Sequence, residues 1–116
     1  MEIQSESATR EPDPRFTTDE AGRVIDATPA GAALLGISVS GLRGRNLLLF
    51  FASQRERAYA AANSALWGDV ASFEAVLLPR NSRRLKVSVQ VSPVATSDGG
   101  FQLSWEVMLL PETRRI

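Results

Sequence analysis

The stretch Leu85-Lys86-Val87-Ser88-Val89-Gln90-Val91-Ser92 alternates apolar and polar residues without a break. Successive side chains of a strand point to opposite faces, so a period of two marks a strand with one buried and one solvated face. Trp105, Val107 and Leu109 repeat the pattern against Ser104 and Glu106. Ser72 to Leu78 comes before them, and Pro79-Arg80-Asn81-Ser82 and Ser97-Asp98-Gly99-Gly100 supply the two reversals. The second half of the chain therefore predicts a three-stranded antiparallel meander.

Upstream of the meander the period becomes helical. Ser53-Gln54-Arg55-Glu56 fits a capping box, in which the Ser oxygen and the Glu carboxylate each satisfy a free N–H at a helix start. The helix is expected from Gln54 to about Trp67, with a stripe of Tyr59, Ala62, Asn63, Leu66 and Trp67 and a stop at Gly68. Thr28-Pro29 starts a shorter helix, since Thr caps it and Pro at the first position gives up an N–H that is unpaired there anyway. That helix carries Ala32 to Leu35 and closes at Gly36. Ile37 to Arg45, with Gly41 and Gly44, reads as turns or one helical turn leading to the apolar run Leu47 to Phe51. Phe16 to Ala27 folds back around Asp19-Glu20-Ala21-Gly22 as a hairpin. The sum is an α+β domain with five strands, the helices inserted between strands 2 and 3.

Length and composition fit this reading. The chain has 116 residues, 44% hydrophobic and 22% charged, which suits one globular domain with one core. Residues 1–15 are polar, hold Pro12 and Pro14, and read as a flexible N-terminal segment; residues 16–110 form the domain, and 111–116 a tail or the start of a linker. Lys+Arg 13 balances Asp+Glu 13, so no overall field draws the protein to nucleic acid or anionic lipid. No apolar run nears the roughly 20 residues that span a bilayer, and the start is not basic and then apolar, so a cytoplasmic domain is expected, without membrane contact of its own. With no Cys and no His, disulfides, thiolate nucleophiles and the commonest metal ligands are absent.

The order of elements, two strands, a helical middle and three antiparallel strands, resembles the PAS family of sensory domains, and several residues match its pattern. Asp19, Gly22 and Ile25 match its opening; Leu34-Leu35-Gly36 and Leu42 with Gly44-Arg45 match its helical part; Phe73-Glu74 and Ser92-Pro93-Val94 match its sheet. The likeness runs from about Phe16 to Leu110. Thr28 stands where the family usually has Asn, and both residues cap helices. Arg80-Asn81-Ser82-Arg83 replaces the family's usual turn, and of its closing signal-transmitting motif only Thr113 is present.

The resemblance also bears on cofactors. Leu47 stands where blue-light flavin relatives have a reactive Cys, and Leu78, Val87 and Leu109 fall at their polar flavin-contacting positions. Flavin is disfavoured. Haem relatives use a helical His, and none exists here, so haem is nearly excluded. The expected lining of the inner face is Val87, Val89, Val91, Trp105, Val107 and Leu109 opposite Phe50, Tyr59, Asn63 and Leu66. Such a lining suits an unknown small apolar ligand with one or two polar handles; the commoner outcome for apolar residues at these spacings is a filled core. Asn63 serves either a ligand or a backbone group, and Trp67 and Trp105 either stack on a ligand or anchor a core or interface. Arg83-Arg84 and Arg114-Arg115 are read as solvated pairs.

Strand five ends Val107-Met108-Leu109-Leu110, apolar on both faces, which calls for a cover from a second subunit or the N-terminal segment. The resemblance implies a homodimer through the outer sheet face, with Met108 and Leu110 as its interface candidates. The expected function is a sensory or regulatory domain acting through small-ligand binding, homodimerisation or both on a linked or partner effector, such as a histidine kinase or regulator of bacterial two-component type. A ligand-free interaction module is the alternative. An enzyme would need a carboxylate facing the cavity, for which Asp26, Asp69, Glu74 and Glu106 are the available groups; Glu106 alternates with the apolar set and points away. No catalytic residue and no metal site are expected.

Overall fold

The computed structural model describes residues 14–52, 55–80 and 84–110. Strand β1 (Arg15–Thr18) turns back into β2 (Val24–Ala27), and helix α1 (Pro29–Leu35), the single turn α2 (Val39–Leu42), a 3-10 turn (Leu47–Phe50) and helix α3 (Arg55–Leu66) follow. The chain closes with β3 (Ala71–Leu77), β4 (Leu85–Ala95) and β5 (Phe101–Leu109). All neighbours in the sheet are antiparallel, in the order β2-β1-β5-β4-β3. The meander and the first hairpin are thus joined through β1 and β5, and β5 lies at the centre.

The local signals act as physical chemistry requires. In the β1–β2 turn the Asp19 carboxylate accepts from the N–H groups of Ala21 and Arg23, both at 2.9 Å, and Gly22 takes φ +91°. The Thr28 hydroxyl accepts from Gly31 N–H at 3.1 Å. Gly36, at φ +73°, closes α1 by donating to Ala32 and Ala33 carbonyls. The β4–β5 hairpin is pinned at Thr96 and Gly100, and the Asp98 carboxyl is held below its ordinary range by the Thr96 hydroxyl and then by Gly100 N–H. Ser53 and Gln54 of the expected capping box, and Asn81 to Arg83 of the β3–β4 reversal, lie outside the described residues.

Helix α3 corrects one expectation. Its buried residues are Ala58, Ala61, Ala62 and Ala65, whereas Tyr59 is 55% and Trp67 81% exposed and Asn63 is also exposed. Both sets follow helical spacing. The sheet side takes the alanines because side chains this small let the helix lie close above β3 and β4; Tyr59 or Trp67 there would hold it away. Leu66 packs at the margin of the core.

Candidate functional site

The concave face of the sheet is where the sequence directs attention. The strands present Phe16 and Thr18 (β1), Ala75 and Leu77 (β3), Val87, Val89 and Val91 (β4) and Leu103, Trp105 and Val107 (β5), all buried. Their register is continuous across the sheet: Phe16 pairs with Trp105, Trp105 with Val91, and Val89 with Val107 and Phe73. The helical layer supplies Leu35, Leu42, Leu47, Leu48, Phe51 and the alanines of α3.

Trp105 sits at the middle of this face with no solvent exposure. Its ring lies 6.4 Å from that of Phe51, which in turn lies 5.8 Å from Phe73, separations at which tilted aromatic rings attract. The indole N–H donates to the Thr18 hydroxyl at 2.9 Å, and that hydroxyl donates to Asp19 C=O at 2.9 Å. Thr18 is the sole buried polar residue among those described. Its two bonds are both made inside the protein, so burial leaves it satisfied. The sequence pointed to Trp105 but gave no sign of Thr18, whose value comes from a pairing 87 residues distant.

The expected lining separates into two groups. Val87, Val89 and Trp105 are brought together in the core, with Phe50 and Leu66 packed at its margin. Tyr59 and Asn63 face solvent instead, for the reason given by the alanine stripe. Leu109 is 52% exposed: it pairs with Val87 and shares the inner side, but as the last residue of β5 it projects past the helices that would cover it. Met108 lies on the outer face opposite Ser88 and is 63% exposed; Leu110 is half-buried, its N–H bonded to Lys86 C=O at 3.0 Å.

That outer face is polar at its centre. Ser72, Ser88, Gln90, Glu106 and Met108 border a shallow depression of about 80 Å³, and Glu106 pairs with Arg15 across β5 and β1. Of the four carboxylates considered for catalysis, Asp26, Asp69 and Glu74 are exposed and Glu106 is half-exposed; Asp26 lies 3.5 Å from Arg43. None therefore faces the core. Among the described residues no group of three or more His, Cys, Asp or Glu side chains is placed to hold a metal ion, and no helix is long and apolar enough to cross a membrane.

Comparison with solved structures returns the same architecture. The PAS domain of an HTR-like protein from Haloarcula marismortui superposes with a TM-score of 0.74 at 17% identity, covering 95% of this chain and all of that one. The PAS domain of nitrogen regulation protein NR(II) from Vibrio parahaemolyticus gives 0.70 at 18% identity, covering 84% of this chain and 88% of that one. A PAS domain from a two-component sensor histidine kinase gives 0.74 at 9% identity, with 94% and 95% covered. A search of curated proteins by sequence finds no match. The family model for the PAS fold matches residues 4–108, nearly the whole chain, and the protein accordingly belongs to the PAS family of sensory signalling modules.

Proposed function

We propose that this PAS domain passes its signal through contacts on the outer face and C-terminal end of its sheet, as a homodimer, without a cofactor in the concave face. The observation that carries this reading is Trp105, fully buried at the centre of that face with its one polar atom bonded to Thr18. A ligand seated there would have to displace an aromatic side chain and break a buried hydrogen bond, at a cost of about 1–3 kcal/mol for the unpaired group alone. The outer face, in contrast, carries exposed Met108 beside polar residues that make few demands on a partner.

In this reading the domain regulates a linked or partner effector by shifting a dimer between two arrangements, and a histidine kinase fits that role because relatives of this fold come from such proteins. Native mass spectrometry before and after mild denaturation tests it. A dimer that releases no small molecule, and that Met108→Glu converts to monomer, is the expected result. A stoichiometric small molecule freed on denaturation would overturn the cofactor-free reading, and a monomer at micromolar concentration would overturn the dimer.

A further inference from the structure

Between helix α3 and strand β3 runs an open groove of about 330 Å³, clear of the packed centre of the concave face. The helix contributes Arg57, Ala60, Ala61 and Ser64, positions that helical spacing stacks on one face. From the strand come Ala71 and Phe73, which share its inner side because strand side chains alternate. Trp105 is not one of its walls.

Small residues make this groove. Ala60 is exposed and Ala61 buried, so the helix side is lined by methyl groups, and a larger side chain at position 60 would fill the space. The opposite wall is aromatic and anchored, since the Phe73 ring lies 5.8 Å from that of Phe51 in the core. Polar groups stand at the two ends of the helical stripe. Phe51, just before α3, bridges Leu77 at the end of β3, and Asp69 N–H, just before β3, donates to Ser64 C=O at 3.1 Å. The helix therefore runs back along the strand, with Ser64 toward Ala71 and Arg57 toward Phe73. At 1.5 Å per residue these two helix positions lie roughly 10 Å apart.

Arg57 is exposed, and the ion pairs among the described residues, Arg15 with Glu106 and Arg43 with Asp26, leave it out. The Ser64 hydroxyl likewise makes no hydrogen bond among the described residues. A guanidinium at one end, methyl groups and a ring along the middle and a hydroxyl at the other end complement a small organic acid. Small-molecule sites begin at about 300 Å³ and are mostly apolar with a few placed polar groups, and the planar guanidinium fork matches a carboxylate.

We infer that the groove between α3 and β3 binds a short-chain organic carboxylate, with the carboxylate on Arg57 and the hydrocarbon chain between Ala60 and Phe73. The site goes beyond the outer-face reading and stands apart from it. Because the groove is open to water, binding is weak, with a dissociation constant on the order of 1 mM for a ligand of this size. A ligand held so loosely exchanges with the surroundings as a signal does, rather than staying as a resident cofactor.

An NMR titration of the full chain with hexanoate, following backbone amides, tests this. The amides of Ala60, Ala61 and Phe73 should shift along one saturating curve while that of Val89 in the core stays still. An exposed ion pair is worth up to about fivefold in affinity, so 1-hexanol should bind the unaltered protein roughly fivefold more weakly than hexanoate, and Arg57→Gln should bring hexanoate down to the level of the alcohol. Ala60→Leu keeps a good helix former at an exposed position and should abolish the shifts by filling the groove. Absence of a saturating shift, equal binding of hexanoate and 1-hexanol, or unchanged hexanoate binding in either variant overturns the inference. Shifts centred on Val89 and Trp105 instead would place the ligand in the concave face and overturn it as well.

Discussion

Trp105 and Glu106 are consecutive on β5, and each ties that strand to β1 from the opposite face. Inside, the indole N–H meets the Thr18 hydroxyl in a fully buried neutral contact. Outside, the Glu106 carboxylate meets the Arg15 guanidinium, with the two side chains 36% and 49% exposed. A charge pair at the inner position would cost several kcal/mol per ion to desolvate, whereas the neutral pair needs only its single bond. Outside, water competes for both charges, and the pair can open at little cost. The same two strands are therefore fixed from within and adjustable from without, which fits the outer-face contacts proposed above.

Breaking the inner contact should have the largest effect. Trp105→Ala removes the central side chain of a filled face, and large-to-small changes of this kind cost about 3–5 kcal/mol. Urea unfolding followed by circular dichroism measures it. A loss under about 1 kcal/mol would mean that the concave face is loosely filled, and the comparison between the faces would fail. Thr18→Val comes next. It keeps the shape of the side chain but removes the acceptor for the indole N–H, leaving a buried donor unpaired at about 1–3 kcal/mol. The same unfolding measurement applies, and little or no loss would show that another acceptor or water reaches the indole.

These two residues also show what the sequence could and could not reveal. Trp105 was legible because it lies in an alternating strand, where the period alone assigns it to the buried side. Thr28 and Gly36 were legible too, since a cap is a local event with a local residue preference. Thr18 was not, because its role depends on β1 lying beside β5, a pairing that spans most of the chain. The buried face of α3 was misread for a different reason. Helical spacing is met both by the stripe Tyr59, Ala62, Asn63, Leu66 and Trp67 and by Ala58, Ala61, Ala62 and Ala65, and spacing alone does not choose between them; the closeness of helix and sheet, which selects small residues, is a tertiary property. Leu109 was placed on the correct side of β5, but the point at which the helical cover ends is likewise set by packing.

The smallest effect is expected on the outer face. Glu106→Gln keeps the shape of the side chain and removes its charge, and an ion pair this exposed contributes about 0–1 kcal/mol. Whatever it contributes should fade with salt, because in 1 M salt charges are screened within about 3 Å. The difference in unfolding free energy between Glu106→Gln and the unaltered protein should thus shrink between low salt and 1 M salt, while the Thr18→Val difference stays constant. If the Glu106→Gln loss instead exceeded that of Thr18→Val and persisted in salt, water would not be competing for the pair. The pair would then lie inside the proposed dimer contact rather than at its solvated rim, and the contrast between fixed and adjustable faces would hold only for the separated subunits.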